Sequence, residues 1–276
     1  MGTRPPLILL PPSEGKADGG SGPAWARDTL VDPDLDDRRA KVLAALVRTM
    51  KRSQAVRAKL LGVKGDALAA ATAANLEVLT AATLPAIERY TGVLYEALDA
   101  ASLPAAHRRR LDAQVRIFSG VWGLVGPADP IPDYKLKMGA AVAPLGKLST
   151  WWRPALTAAL VEPIAGRTVW NLLPNEHAAA WEPDLSAGPT APRRVISVRF
   201  LEEAGRGSAT RLVVVNHWNK LLKGALVRHV LTTQLSDVDG LAEFDHPRGY
   251  VFAPGLTQVD PDGVRIAVSL VKPAER

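Results

Sequence analysis

Apolar positions in the first half of the chain recur at the spacing of helices. From about residue 36 onward, apolar side chains fall on one helical face. The opposite face carries a line of cations, predicted to consist of Lys41, Arg48, Arg52 and Lys59. The apolar face consists of Val42, Leu43, Leu46 and Met50. This basic helix is predicted to continue to the glycine at position 62. Three further helices are predicted: an alanine-rich one over 67–82, one that begins at Pro85, and one over 104–114.

The second half of the chain alternates between strand and helix patterns. Short apolar runs bounded by turn residues predict strands at Leu7–Leu10, Thr168–Leu172, Val195–Phe200 and Leu212–Val215, with a turn over 202–208 and a terminal hairpin of Tyr250–Ala253 and Arg265–Val271. A helix is predicted from about Trp218 to Leu231. Because no break in the pattern separates parts that could fold alone, we predict one domain over 1–276. Its class is mixed α/β, with a central mixed sheet surrounded by helices.

Positive charge is concentrated in one part of the chain. The net charge is +6, and the stretch from Arg38 to Lys64 contains cations but no acidic residue. The acidic run Asp34–Asp37 comes directly before it, where carboxylates stabilise the positive end of a helix dipole. The subregion over about 36–82 is therefore predicted to be helical and basic, which favours a polyanionic partner.

Composition excludes several classes of site. The chain has no cysteine, so disulfides, thiolate zinc sites and iron–sulfur clusters are excluded. The five histidines show no metal-binding spacing, and no apolar run is long enough to span a membrane. We therefore expect a cytoplasmic monomer with no metal site, no cofactor and no membrane partner.

The segment Phe118–Gly139 (the 118–139 segment) is rich in glycine and proline and too long for an ordinary turn. Glycine permits positive φ and close backbone approach, whereas proline fixes φ. A long, stiffened loop inside a domain is usually functional. If 134–138 is extended, Lys135 and Lys137 share one face and Tyr134 lies on the other.

The 118–139 segment resembles the signature loop of the YaaA family, which is associated with peroxide stress. Five other blocks resemble the same family in the same order: Leu7–Lys16, Arg89–Tyr95, Val169–His177, Asn219–Arg228 and Gly249–Phe252. The resemblance implies the family's fold with a helix-hairpin-helix-like element, DNA binding, and a peroxide response linked to limiting free iron. His177 stands where the family usually has tyrosine, and Leu173-Pro174 replace Ala-Ser.

The stretch Gly62-Val-Lys64-Gly65 joins the basic helix to the alanine-rich one. A helix-hairpin-helix uses such a glycine turn to offer backbone N–H groups to a nucleic-acid phosphate. The two glycines stand one residue further apart than in the usual Gly-hydrophobic-Gly turn. The alternative is an ordinary pair of helices with glycine after the first, a common helix end.

The turn after the first strand carries Ser13, Glu14 and Lys16. It is not a phosphate-binding P-loop, because the preceding glycine is missing and Ala17 replaces the required Ser or Thr. One interpretation is a simple strand exit, and the other is a loop whose three polar side chains line a cleft.

Two further stretches carry candidate residues. Asn175-Glu176-His177 could provide acid–base chemistry, because a carboxylate beside a histidine can tune it; the alternative is a structural histidine. Lys220 and Lys223 lie three apart near a helix start and would favour an anion. Their alternative is an exposed helix face.

These features lead to a DNA-binding protein of the peroxide stress response. The predicted DNA contacts are Lys41, Arg48, Arg52, Lys59, Gly62, Lys64 and Gly65, with damaged or non-duplex DNA as possible forms. The predicted cleft residues are Ser13, Lys16, Lys135, Lys137, Asn175, Lys220 and Lys223. The alternative is an enzyme that acts on a small anionic substrate, such as a nucleotide, with Glu14, Tyr134, Glu176 and His177 as catalytic candidates. A third hypothesis is a protein-interaction module.

Overall fold

The apolar run near the N-terminus forms an interior strand of a mixed sheet. The computed structural model describes residues 4–204, 211–214, 218–244, 246 and 248–273. Its strands are β1 (Leu7–Leu10), β2 (Leu84–Pro85), β3 (Val115–Ser119), β4 (Gly123–Val125), β5 (Pro130–Ile131), β6 (Ala141–Val142), β7 (Gly146–Lys147), β8 (Thr168–Asn171), β9 (Arg194–Ala204), β10 (Arg211–Val214), β11 (Val251–Phe252), β12 (Gln258–Val259) and β13 (Arg265–Lys272). Its helices are α1 (Asp36–Met50), α2 (Gln54–Leu61), α3 (Gly65–Glu77), α4 (Ala86–Arg89), α5 (Val93–Leu98), α6 (Ala105–Gln114), α7 (Leu148–Ile164), α8 (Asn175–Ala178) and α9 (Asn219–Thr233).

The main sheet has the strand order β11-β13-β9-β8-β1-β3-β4, with β10 paired to β9 and β12 paired to β13. The five middle strands, from β13 to β3, run parallel to one another. The outer pairs β3–β4, β9–β10, β11–β13 and β12–β13 are antiparallel. Strand β1 is completely buried, as expected for a parallel strand covered on both faces. The prediction of a single mixed α/β domain with helices around a central mixed sheet is therefore confirmed.

The predicted basic helix is two helices, and the prediction of one was wrong. Helix α1 ends at Met50 and α2 begins after Ser53, whose φ of −58° and ψ of 155° are extended. Neither glycine nor proline marks this break. The turn brings α1, α2 and α3 into mutual contact and buries Leu61 and Leu68. Burial of these leucines stabilises the turned arrangement.

The cations that were predicted on one helical line are consequently divided. Lys41 and Arg48 lie on α1, Arg52 lies in the connection, and Lys59 lies on α2. A single straight stripe of these four side chains does not exist.

Most other predicted elements are present with shifted ends. The alanine-rich helix is α3, which ends at Glu77, and the helix predicted at Pro85 is the single turn α4. The terminal hairpin is present, since β11 pairs with β13 in antiparallel register. The turn predicted over 202–208 and the end of the strand predicted to reach Val215 lie partly outside the described residues.

Gly224 allows α5 and α9 to pack in close contact. A Cβ atom at this position would overlap the carbonyl oxygen of Leu94 and lie 2.8 Å from the Cβ of Ala97. The obstructing Leu94 oxygen belongs to the backbone, so it cannot move without displacing α5.

Gly224→Ala is therefore expected to lower the free energy of unfolding by about 1–3 kcal/mol through overpacking. The direction of the change in the free energy of unfolding identifies the close helix contact. Without such a contact, alanine in a helix interior would stabilise the protein by roughly 1 kcal/mol relative to glycine. Urea denaturation of the two proteins measures the difference. A variant as stable as the wild type, or more so, would contradict this account of the helix contact.

Candidate functional site

A cavity opens at the carboxyl ends of β1 and β8, two adjacent parallel strands. The chain leaves β1 toward β3 on one side and leaves β8 toward β9 on the other. Such a reversal of strand order creates a crevice outside the sheet, where α/β proteins commonly bind ligands. The loops that follow the two strands form part of its wall.

This lysine cavity has a volume of about 230 Å³. It is lined by Pro11, Pro12, Ser13, Glu14, Lys16, Tyr134, Lys135, Leu136, Lys137, Pro174, Glu176, His177 and Lys220. The four catalytic candidates and five of the seven predicted cleft residues therefore converge. Asn175 and Lys223 are not among the residues that line it.

The end of the 118–139 segment forms one wall of the lysine cavity. Tyr134, Leu136 and Met138 are buried, whereas Lys135 and Lys137 are more exposed, as expected for an extended chain. Gly120 permits this arrangement, because a Cβ there would lie 2.7 Å from the carbonyl oxygen of Leu136.

Asn75 of α3 holds the same wall in place. Its side-chain amide donates to the carbonyl oxygen of Lys135 at 2.9 Å and accepts from the Lys135 N–H at 2.8 Å. Asn75 is fully buried, so these two bonds replace the pairing that a neighbouring strand would give.

Lys16 places a mostly buried ammonium group against an aromatic face. Its Nζ lies 4.4 Å from the centre of the Tyr134 ring and donates to the carbonyl oxygen of Ser13 at 3.2 Å. Burial lowers the pKa of Lys16 to about 8, and the nearby Asp133 carboxylate opposes that shift. Lys16 can therefore exist in both protonation states close to neutral pH.

Three hydroxyl groups form a buried chain beneath Lys16. The Tyr134 hydroxyl lies 2.7 Å from the Tyr90 hydroxyl and 2.7 Å from Ser119 Oγ. Ser119 Oγ also accepts the backbone N–H groups of Val121 and Trp122. Burial raises the pKa of Tyr134 to about 12, so this phenol remains protonated and acts as a hydrogen-bonding group at neutral pH.

Glu14 lies between two lysines at the mouth of the lysine cavity. Its carboxylate is 3.0 Å from Lys137 Nζ and 3.4 Å from Lys135 Nζ. The hydrogen bond from Lys137 lowers the pKa of Glu14 below its usual value, against the opposing effect of burial. Glu14 is therefore ionised at neutral pH.

His177 is buried in the cavity wall, and it is only 6% exposed. Burial lowers its pKa to about 4, so the ring is neutral at physiological pH. Its Nδ1 is 3.5 Å from the Glu176 carboxylate without making a hydrogen bond, and neither ring nitrogen has a hydrogen-bond partner among the described residues. The contact with Glu176 is thus not an ion pair while the ring is neutral.

The two lysines of α9 have different environments. Lys220 is exposed and reaches the lysine cavity. Lys223 is largely buried, and its Nζ donates to the carbonyl oxygen of Leu172 at 2.9 Å. Burial lowers the pKa of Lys223 to about 8. It supports the loop after β8 from behind the cavity.

A second concave surface lies next to the lysine cavity. This basic groove has a volume of about 780 Å³. It is lined by Arg48, Thr49, Arg52, Val56, Lys59, Leu60 and residues 139–144. Three of the predicted DNA contacts converge there despite the helix break. Within the part of the chain that the structure describes, no carboxylate lines this groove.

The remaining predicted DNA contacts lie outside the lining of the basic groove. Lys41 and Lys64 are exposed on α1 and before α3. Gly62 and Gly65 have φ values of 67° and 56°, both residues are exposed, and no atom of the described residues lies within 4 Å of where a Cβ would be at either. The backbone of this turn is therefore open to solvent.

Gly139 stands between the two concave surfaces. It lines the basic groove, and a Cβ on it would lie 2.7 Å from Oε2 of Glu176, which lines the lysine cavity. The groove and the cavity are therefore neighbours separated by the Gly139–Glu176 contact.

The residues that line the lysine cavity and the basic groove all lie within the part of the chain that the family comparison covers. The family profile described as "Peroxide stress protein YaaA" matches residues 7–256. This chain belongs to the YaaA family.

Curated relatives support the same YaaA assignment. UPF0246 protein SCO2297 of Streptomyces coelicolor is 40% identical over 227 residues, which cover 82% of this chain and 83% of the relative. UPF0246 protein Cgl1995/cg2186 of Corynebacterium glutamicum is 34% identical over 226 residues, covering 80% and 83%. UPF0246 protein CE1889 of Corynebacterium efficiens is 34% identical over 231 residues, covering 82% and 85%.

Two properties of the described residues of this YaaA chain bear on other functions. Across those residues, no group of three His, Asp or Glu side chains could hold a metal ion. In the same part of the chain, no helix combines the length and apolar character needed to cross a bilayer.

Several residues that shape this YaaA site were not found from the sequence. Asn75 lies in an alanine-rich helix, and Tyr90 and Ser119 contribute through hydroxyl groups that only the fold brings together. Arg89 is fully buried and donates to backbone carbonyl oxygens of Ala17, Gly19, Ala82 and Ile131. A helix-terminal arginine is ordinarily interpreted as a surface cation, so no sequence pattern marks this role.

Proposed function

We propose that this YaaA protein acts in the peroxide stress response by binding DNA through its basic groove. The observation that carries the proposal is the convergence of Arg48, Arg52 and Lys59 on one groove, to whose lining the described residues contribute no carboxylate. Cations that line a concave surface attract a polyanion and need no particular base sequence.

The exposed turn after α2 extends this surface. Gly62, Lys64 and Gly65 are exposed, although the N–H of Gly62 already donates to the carbonyl oxygen of Ala58. Open backbone N–H groups at a helix start can bind a phosphate oxygen. In this proposal the turn takes the role of a helix-hairpin-helix element. Lys41 on α1 attracts the phosphate backbone of the DNA.

The double substitution Arg48→Glu and Arg52→Glu tests the proposal. We expect it to weaken DNA binding by roughly 100-fold at low salt, and to make the log–log salt dependence less steep by about two units. The loss should be uniform across DNA sequences. Fluorescence anisotropy with labelled duplex, single-stranded and mismatched DNA at several salt concentrations measures both quantities and identifies the preferred form.

A matched control carries the same change of net charge elsewhere. Arg109 and Arg211 are exposed and do not line the basic groove. Arg109→Glu with Arg211→Glu should therefore retain most of the affinity. Equal loss in both double variants would show only a net-charge effect, and unchanged affinity in the groove variant would refute the groove as the DNA site.

A second candidate function is chemistry on a small anionic substrate in the lysine cavity. The mostly buried Lys16, held over Tyr134, favours this candidate. Lysines whose pKa lies near neutrality serve as bases or nucleophiles in enzymes. The two functions separate experimentally, because an enzyme should depend on the cavity residues and tolerate charge reversal in the groove.

A further inference from the structure

The charges around the lysine cavity leave an excess of two positive charges. Among the described residues, the lining contains four lysines and two glutamates, and His177 is neutral. Glu14 is already paired with Lys135 and Lys137. The excess is therefore carried mainly by Lys16 and Lys220, which enter no ion pair within the described part of the chain.

Lys16 has unused hydrogen-bonding capacity. An ammonium group has three N–H donors, and Lys16 uses one of them on the carbonyl oxygen of Ser13. The ring of Tyr134 lies on another side at 4.4 Å. An anion in the cavity could accept a charge-assisted hydrogen bond, which is about twice as strong as a neutral one.

His177 provides an independent indication of a ligand. Its side chain is more than nine-tenths buried, it lines the lysine cavity, and both ring nitrogens lack hydrogen-bond partners among the described residues. Buried polar atoms are almost always paired in folded proteins. Both ring nitrogens are almost inaccessible, so the ring must turn toward the cavity before its N–H can donate to a ligand oxygen there.

Lys220 contributes a further positive charge to the lining of the cavity. It is the second residue of α9, a helix of 15 residues, so it adds a full charge to the partial positive charge at that helix start. The lysine cavity lies where the direction of strand connections reverses between β1 and β8. Such a location is where α/β proteins commonly bind ligands.

We propose that the lysine cavity binds the dianionic phosphate of a phosphate monoester, with Lys16, His177 and Lys220 as the contacting residues. The two negative charges of the phosphate match the excess of two positive charges among the residues that line the cavity. A cavity of about 230 Å³ encloses the phosphate and its ester oxygen, while the organic group extends past Lys137 and Glu14 at the mouth. This inference rests on the second candidate function and does not require DNA binding.

Isothermal titration calorimetry with thymidine 5′-monophosphate, inorganic phosphate and uncharged thymidine tests this assignment. We expect the monophosphate to bind and thymidine not to bind. Lys16→Met and Lys220→Met should each weaken the binding of the monophosphate by roughly 10- to 100-fold. This is the contribution expected of one charge-assisted hydrogen bond. Lys220 is exposed, so its variant remains informative even if Lys16→Met unfolds the protein.

The groove variant Arg48→Glu with Arg52→Glu is the control that separates this inference from the proposed DNA binding. It should bind thymidine monophosphate as tightly as the wild type does. Equal binding of thymidine and its monophosphate, or wild-type affinity in Lys220→Met, would overturn the assignment. Loss of DNA binding without loss of monophosphate binding would leave it intact.

A phosphate monoester could be a free small molecule or the phosphorylated end of a nucleic-acid strand. A 5′-phosphorylated oligonucleotide and its 5′-hydroxyl counterpart distinguish these sources by competition with thymidine monophosphate. Preferential competition by the phosphorylated strand identifies a strand end. Competition by neither strand identifies a free monoester. Failure of the monophosphate, inorganic phosphate and the phosphorylated strand to bind would exclude both sources and overturn the proposal.

Discussion

Replacing Arg39 with methionine is expected to lower the free energy of unfolding by about 3–5 kcal/mol. Arg39 is fully buried on α1, and its Nη1 is 2.7 Å from Oδ1 of Asp36. It also donates to the backbone carbonyl oxygens of Val31, Asp32, Trp122 and Leu124 at 2.8–3.0 Å. The guanidinium group thus connects the start of α1 to the 118–139 segment.

The loss of stability arises because buried polar groups lose Arg39 as their partner. Asp36 is only 3% exposed, and without Arg39 its charge would keep just the hydrogen bond from the N–H of Asp28. Each of the four carbonyl oxygens would also lose a donor. A buried charge without its partner is far more costly than a surface charge.

Arg38→Met is the matched control, because Arg38 is the adjacent residue on α1. Arg38 is partly exposed, donates to the carbonyl oxygen of Trp151 at 2.8 Å and lies 5.0 Å from the Trp151 ring centre. We expect its loss to cost about 1–2 kcal/mol. Urea denaturation compares the two variants. Similar losses at both positions would contradict the central role given to Arg39.

In the cation-rich stretch, the sequence predicted the excess of positive charge but not where each cationic side chain lies in the fold. The excess of cations between Arg38 and Lys64 is a property of composition and was evident at once. The burial of Arg39 was not, because only the fold supplies the carbonyl groups that make burial of a guanidinium tolerable. The break near Ser53 also lacks the glycine or proline that usually marks a helix end.

The lysine cavity shows a different limit. The alternation that places Lys135 and Lys137 apart from Tyr134 depends on local geometry, so the sequence predicted it. The convergence of Lys16, Lys135 and Lys220 depends on which strands are neighbours. Strand β1 lies between β3 and β8, which are more than 100 residues from it in the chain. No local pattern specifies such an arrangement.

His177 should make the stability of this protein depend on pH below neutrality. Burial lowers its pKa from 6.5 to about 4, so the unfolded chain binds a proton in a pH range where the native protein does not. The contribution of His177 to the free energy of unfolding is therefore fully present above pH 6.5, the pKa of the unfolded chain. It is lost as the pH falls toward about 4. Relative to neutral pH, this shift lowers the free energy of unfolding by about 2 kcal/mol at pH 5 and by about 3 kcal/mol at pH 4.

His177→Phe removes the titrating group without leaving a buried polar atom, since neither nitrogen of the wild-type ring has a hydrogen-bond partner among the described residues. Urea denaturation of both proteins between about pH 7.5 and pH 5 isolates the contribution of His177, because other acidic groups titrate alike in the two. We expect the wild type to lose about 2 kcal/mol more than the variant over this range. Parallel pH profiles would mean that the pKa of His177 is the same in the native and unfolded states, which would contradict its lowering by burial.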